Sequence, residues 1–556
     1  MSAIKTLFKY VVIILCAILF LIFLLTGILF IFPNASIFGF RYVTNHNDYG
    51  GFVDNATVTE INIETNNYDI VIIPNSRQDI QNYQTFSFVV ENNYTGFSNA
   101  KVKAEVEGEN GNETKDVSLD CTWLQALDGS YVKSTELNSV TLAKFRSGSA
   151  YTFKLIEPTG LVSIGSSRVM VYMPENSTNY VKYNLKTNSG TIKFLKNDIN
   201  LNSTLYTSDI TLDINSYRGA FNLENIVMKE NSNLRISNYL GKVNIDSEKI
   251  GNVIIDSNSG NFTFNNIGFG ENKSNLTING NNPYVKVNKL YGNLYYDANT
   301  GYLEAGEVLG DMFVDTDNGI IKVAKALGVI DVNNDSGETT IDQIGENTSN
   351  SRGVNLTSKS GKITIGGSNY SENKGVYYIG LVKTESGNVV VNNFYAKAGS
   401  VLSSNTNEIN TTSGSVTVNF ATSEDIKDLT VTTTSGKVKL YKVYATVNVK
   451  TNNGAVYAEF DKIAVANVAN FESLTGNLEI KLPAPTNSLD KQYNINAQNK
   501  ENKLDIKIGS FAKTAFDGDK NLVGYYIFEQ KFPSDASTTN TINLKTNSGK
   551  IIVKEN

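Results

Sequence analysis

LYGNLYYDANTGYLEAGEVLGDMFVDTDNGIIKVAKALGVIDVNNDSG, residues 290–337, decides the fold. Its glycines fall at Gly292, Gly301, Gly310, Gly319, Gly328 and Gly337, an even spacing of nine. Gly292, Gly310 and Gly328 follow apolar pairs, whereas Gly301, Gly319 and Gly337 follow polar ones, so the full period is eighteen. A fixed period of this kind is a repeat signature and takes precedence over any local motif. Two and four residues beyond each glycine the side chains are apolar: Leu294 and Tyr296, Leu303 and Ala305, Met312 and Val314, Ile321 and Val323, Ile330 and Val332. Alternation with period two is a strand with one buried face. Each unit is thus about five strand residues and about four turn residues, with the glycine expected at φ > 0, where it alone meets no steric cost. Two units close one coil, and coils stacked at roughly 4.8 Å bury their inward side chains in one continuous core.

Outward from this stretch the rule persists. It fits Ile192 and Phe194 after Gly190, Phe262 and Phe264 after Gly260, Val416 and Val418 after Gly414, and Ile551 and Val553 after Gly549, with polar exceptions at Thr339 and Thr384. The expected fold is all-β: an elongated parallel β-solenoid of about 18–22 residues per coil over residues 181–480. Strands at such spacing also describe an antiparallel meander, but a meander has no reason to keep the alternation of turn type. Residues 50–180 lack the ladder and read as an N-terminal β-rich cap domain; they hold the only tryptophan, Trp123, read as core. Residues 481–556 break the ladder and then return to it in TNSGKIIV, 546–553, and read as a C-terminal cap region with a final repeat strand. An array of repeats needs its ends covered.

The composition agrees. Proline is scarce at 8 residues and Gly 43 supplies the turns, while a formal charge of −6 offers no basic surface for phosphates, which argues against a nucleic-acid partner. The two cysteines, Cys16 and Cys121, form no disulfide framework.

Near the start, YVVIILCAILFLIFLLTGILFIF, residues 10–32, carries no charge. As a helix it would span about 34 Å at ~1.5 Å per residue, enough for a hydrocarbon core of about 30 Å. A cleaved signal peptide is the competing reading, but its apolar region is normally about 7–15 residues and ends in a small-residue cleavage site, whereas FPNASIF follows here. Lys5 and Lys9 precede the run and the first basic residue after it is Arg41, so the expectation is a cytoplasmic tail 1–9, a transmembrane anchor 10–32, a linker 33–49, and an extracellular remainder in the cell membrane.

The run RVMVYMPENSTNYVKYNLKTNSGTIKF, residues 168–194, followed by many SG-x-V-x-V units, resembles the bacterial adhesin-like families described by their β-strand repeats. The resemblance covers roughly residues 165–480. It implies a β-solenoid, an envelope location and an adhesive or sensing role, and it carries no catalytic residues over.

Little else in the chain looks like chemistry. DVNNDSGETTID, residues 331–342, places Asp331, Asn333, Asp335 and Asp342 at positions 1, 3, 5 and 12 of a calcium-loop pattern, but Ser336 stands where that loop needs glycine. The nine-residue ladder already accounts for the segment. His46 is the only histidine, too few for an ordinary zinc site or a Ser–His–Asp arrangement, and no phosphate-binding glycine motif occurs. Paired carboxylates on outward positions, Glu304, Asp311, Asp315, Asp317 and Asp331, could suit glycoside chemistry, although acids on a solvated face are ordinary. N-x-S/T sequons, among them Asn93, Asn112 and Asn176, fit chance in so asparagine-rich a chain. Tyr295, Tyr302 and Phe313 point outward by the alternation rule. The sequence therefore assigns no catalytic, metal or cofactor residue. It leads to a non-catalytic surface protein for adhesion or envelope interaction, with glycans or proteins as ligands. The alternatives are an envelope scaffold or stress sensor, and then a β-helical polysaccharide-active enzyme.

Overall fold

The computed structural model describes residues 9–21, short strand segments between 40 and 156, and residues 168–174, 180–195, 204–214, 220–224, 226–238, 241–246, 250–268, 273–345, 353–367, 378–394, 407–421, 428–463, 468–534 and 540–556. Cys121, Trp123 and the sequons at Asn93, Asn112 and Asn176 lie outside them. The chain divides into two units, Met1–Asp256 and Ser257–Asn556.

In the second unit a strand pairs in parallel with the strand one coil further along the chain. Leu294–Val308 runs beside Met312–Ala326 with Leu294 opposite Met312, Gly301 opposite Gly319 and Leu303 opposite Ile321. Met312–Ala326 in turn pairs with Ile330–Asn334 and Thr339–Ile344. Strands therefore stack in two columns, one following Gly292, Gly310 and Gly328, the other following Gly319 and Gly337, as the alternation of turn type requires. The expected inward residues, from Leu294 and Tyr296 to Ile330 and Val332, are all buried.

The glycines are needed for a different reason from the expected one. Of the ladder in residues 290–337, Gly301 alone has a positive φ. At most other corners the coils approach so closely that a Cβ would strike a carbonyl oxygen one coil earlier, that of Ser274 for Gly292 and of a glycine for Gly310, Gly328 and Gly337, whereas at Gly319 it would strike the Thr316 side chain. Gly337 stands over Gly319, Gly361 over Gly337, Gly387 over Gly361, Gly414 over Gly387, and so on through Gly436, Gly454, Gly476 and Gly549. Glycine is there because backbone lies where a side chain would be.

Three residues before these glycines a buried polar side chain closes the corner. The Thr433 hydroxyl accepts the Gly436 N–H at 2.9 Å, Thr451 does so for Gly454 at 2.9 Å, and Ser358 for Gly361 at 2.8 Å. Thr384 does the same for Gly387 at 2.9 Å, so it is a corner residue and no flaw in the apolar pattern. Asn334 replaces the hydroxyl before Gly337: its Oδ1 accepts that N–H at 3.1 Å, and its amide donates to Thr339 Oγ1 at 3.1 Å, which gives the second polar exception its partner.

Coil length departs from the 18–22 residues expected. The step is 18 residues between Asn275 and Asn293 and 22 between Thr411 and Thr433, but 24 between Asp331 and Asn355 and 27 between Asn392 and Asn419. Added residues fall between strands, where no core position constrains their number.

Chain order and stacking order part at the far end of the unit. Thr541–Thr546 is parallel both to Val468–Ser473 and to Tyr493–Asn499, and Ile551–Glu555 both to Leu478–Leu482 and to Leu504–Ile508. The last coil is thus held between two earlier ones. The outermost coil carries antiparallel neighbours, Tyr526–Phe532 on Tyr493–Asn499 and Phe511–Lys513 on Leu504–Ile508.

The first unit has the same plan in mirror order. Glu60–Thr65 lies between Ala150–Ile156 and Val181–Thr187, and Asp69–Asn75 between Arg168–Pro174 and Ile192–Phe194, all in parallel. Val102–Glu107 and Ser87–Glu91 then run antiparallel on Ala150–Ile156 and Arg168–Pro174. Phe88 stacks on Phe153 at 3.8 Å in this core, and Tyr183 meets Phe194 edge-on at 5.2 Å. Ahead of it in sequence, residues 9–21 are helical, with exposed apolar side chains from Tyr10 to Leu21. Residues 22–32 of the expected anchor lie outside the described residues, and no described helix is long and apolar enough to cross a membrane.

Candidate functional site

The outward positions of coils 276–344 form ladders, because parallel in-register stacking puts each side chain over its counterpart eighteen residues away. On the second column Tyr284 faces Tyr302, Lys286 faces Glu304, and Glu304 faces Lys322. The Tyr284 and Tyr302 rings stack at 4.6 Å, 7° from parallel. Lys286 Nζ lies 3.0 Å from Glu304 Oε2, to which the Tyr302 hydroxyl donates at 2.6 Å. The Lys322 ammonium stands 5.6 Å from the centre of the Tyr302 ring, a cation–π distance. One step along, Lys289 pairs with Glu307 at 3.0 Å and sits 5.0 Å from the Tyr291 ring.

These contacts set the acidities. The Tyr302 hydroxyl and then Lys286 hold the Glu304 carboxyl below its ordinary range. Its bond to that carboxylate pushes the Tyr302 phenol up to about 12. Glu304 and Glu307 raise Lys286 and Lys289 respectively. The result is a patch of paired charges of both signs beside aromatic surface. A carboxyl group serving as general acid near neutral pH needs the opposite displacement.

On the first column Tyr295 stacks on Phe313 at 5.3 Å, and Tyr295 is 38% exposed. The three aromatics expected outside are therefore outside, on two different faces, each packed against a ring of the adjoining coil.

The calcium-pattern residues are dispersed. Asp331 and Asn333 lie on one extended strand, where alternate residues stand roughly 6.6 Å apart at ~3.3 Å per residue, while Asp342 belongs to the other column. Asp331 accepts from the Asn355 amide at 2.8 Å, Asn333 donates to Asp315 at 2.8 Å, and Asp335 pairs with Lys359. Asp311 continues a corner ladder: the Asp311 N–H donates to Asn293 Oδ1 at 2.8 Å, and Asp311 Oδ1 accepts the Val329 N–H at 2.9 Å. Asp317 offers its carbonyl to Ser336. Among the described residues no group of three or more His, Cys, Asp and Glu side chains could hold a metal ion. His46 pairs as backbone with Lys133.

Sequence reasoning missed Tyr284, Lys286, Lys289, Glu307 and Lys322. The signal was present: Tyr284 and Tyr302, then Lys286, Glu304 and Lys322, recur at the eighteen-residue step and needed only to be aligned on it. In comparisons with known proteins, the chain matches no family model, no curated protein and no solved structure.

Proposed function

We propose that this chain is a membrane-anchored, non-catalytic, adhesin-like surface protein whose β-solenoid presents laddered side chains to glycan or protein ligands outside the cell. The observation that carries this reading is the patch of Tyr284, Tyr302, Lys286, Glu304 and Lys322. Stacked aromatics with fixed charges of both signs form a preorganised contact surface, and such groups contribute disproportionately to recognition. The resemblance to bacterial adhesin-like repeat families supports the same role. The uncharged run 10–32, helical with exposed apolar side chains in its described part, supports an anchor.

The test is binding of the full chain, in detergent micelles, to arrays of glycans, matrix proteins and cell-wall fractions. Saturable binding is expected, with the Tyr284→Ala and Tyr302→Ala double variant weakened about tenfold, ~1.4 kcal/mol. No binding to any of them would overturn adhesion and leave the envelope scaffold. Deleting residues 10–32 is expected to release the protein from membranes.

A further inference from the structure

We infer that the slot between coils 468–482 and 493–508 is a strand-acceptor site, and that its ligand is segment 540–556 of a second copy of this chain, exchanged for the molecule's own.

The topology makes the slot. After Leu482 the chain skips one level, builds the outer coil with Tyr493–Asn499 and Leu504–Ile508, and fills the level between them only with Thr541–Thr546 and Ile551–Glu555. Both walls therefore precede the occupant in sequence. Each wall offers strand edges: the Leu478 N–H donates to the Lys550 carbonyl at 2.9 Å from one side, and the Ile551 N–H to the Lys503 carbonyl at 3.0 Å on the other. Main-chain pairing on an open edge gives affinity, and side-chain pockets give selectivity.

The side chains specify what fits. Ile542, Leu544, Ile551 and Val553 are buried inward. A Cβ at position 549 would strike the Gly476 carbonyl, so glycine is required. Asn543 donates to Asn470 at 2.8 Å and accepts from Asn496 at 3.0 Å, continuing one amide ladder across both walls. Lys545, Lys550 and Lys554 reach Glu472, Asp505 and Glu479 at 3.4, 3.0 and 3.3 Å. Glu472, Asp505 and Glu479 thus give each of these three lysines an acidic partner on a wall, although Lys481 and Lys507 face Lys554 in register.

None of these contacts depends on which copy supplies the segment. A second copy brings an identical coil and loses nothing but the intramolecular tether, the low-cost route to swapped assemblies. Exchange belongs to folding, when slot and segment are both free.

Cross-linking tests this in full chains carrying Cys16→Ser and Cys121→Ser, refolded in detergent. One tagged copy carries Asn470→Cys and the other Asn543→Cys, positions opposite each other in register and about 5 Å apart, within disulfide reach. Co-refolding is expected to give a disulfide-linked heterodimer; mixing the two after separate refolding is expected to give at least tenfold less. A synthetic 540–556 peptide with Asn543→Cys, added while the Asn470→Cys copy refolds, is expected to form an adduct, lost at least tenfold when it also carries Gly549→Val. The double-cysteine single chain, closing its own disulfide, shows that the geometry permits the bond. With that bond formed, absence of both heterodimer and adduct overturns the acceptor site. An adduct without heterodimer overturns the second copy as its occupant.

Discussion

Gly436 lies directly over Gly414, with the Gly414 carbonyl oxygen occupying the place of any Cβ that Gly436 could carry. Nothing can shift cheaply there, because the obstacle is backbone at the corner leading into Val416–Phe420, a strand paired on both sides.

Gly436→Ala is therefore expected to destabilise the second unit by about 1–3 kcal/mol, the usual cost of overpacking. Gly353→Ala is the control, since among the described residues no atom beyond its chain neighbours lies within 4 Å of the place its methyl group would take, and its φ lies outside the left-handed region; it is expected to stay within about 0.5 kcal/mol of the parent. Denaturant unfolding monitored by far-ultraviolet circular dichroism measures both.

Thr433 offers a second test of the corner. Its hydroxyl accepts the Gly436 N–H and also a bond from Thr411 Oγ1, both at 2.9 Å, in a position only 3% exposed. Thr433→Val keeps the shape and strands a buried N–H, so a loss of about 1–3 kcal/mol is expected. Thr433→Ser keeps the acceptor and should recover most of it. Thr433→Val staying near the parent while Thr433→Ser loses stability would show that packing of the methyl group, and no hydrogen bond, holds the corner.

Glu304 gives a pH dependence with a defined sign. Tyr302 and Lys286 lower its carboxyl pKa in the folded state. The stabilisation is present above the unfolded value near 4.3 and is lost as pH falls through the folded one. With the carboxylate largely in water the contribution is at most about 1 kcal/mol. Carboxyl titration by nuclear magnetic resonance should place the Glu304 midpoint below the ordinary glutamate range. In Tyr302→Phe, which removes the larger cause, the midpoint should move up. The stability gap between parent and Glu304→Gln should close in acid.

Local rules carried most of the fold. Leu303 and Ile321 announce an inward face because a strand alternates whatever lies beside it, and Gly310 and Gly319 announce two kinds of corner because their preceding residues differ. What stayed hidden depends on neighbours far away in sequence. Glycine at 337 looks like a turn residue with positive φ until Gly319 is placed beneath it. TNSGKIIV reads as a strand, yet nothing in it says that the strand lies between Leu478–Leu482 and Leu504–Ile508. The patch around Glu304 was half legible, since alternation put Tyr302 outside but only the coil register brought Lys286 and Lys322 to it.

The antiparallel pair on the outermost coil leads to the last prediction. Tyr493–Asn499 and Leu504–Ile508 would otherwise present two unpaired edges, each a template for another chain. Tyr526–Phe532 covers the first over its whole length, from Tyr493 opposite Phe532 to Asn499 opposite Tyr526, and Phe511–Lys513 covers part of the second. Phe511 also packs edge-on against Phe532 at 5.3 Å, tying the two covering strands together. Replacing residues 511–532 with a short Gly/Ser linker should leave the buried ladder intact while exposing both edges. The expected outcome is concentration-dependent assembly, seen as a sedimentation coefficient that rises with loading, with strand content by circular dichroism little changed. Ile527→Pro should act more mildly, because Ile527 is 42% exposed and the substitution removes one backbone donor without uncovering the coil. If the linker variant instead stays monodisperse at every concentration, the antiparallel strands do not guard the edge, and the outer coil must be protected by its own outward charges.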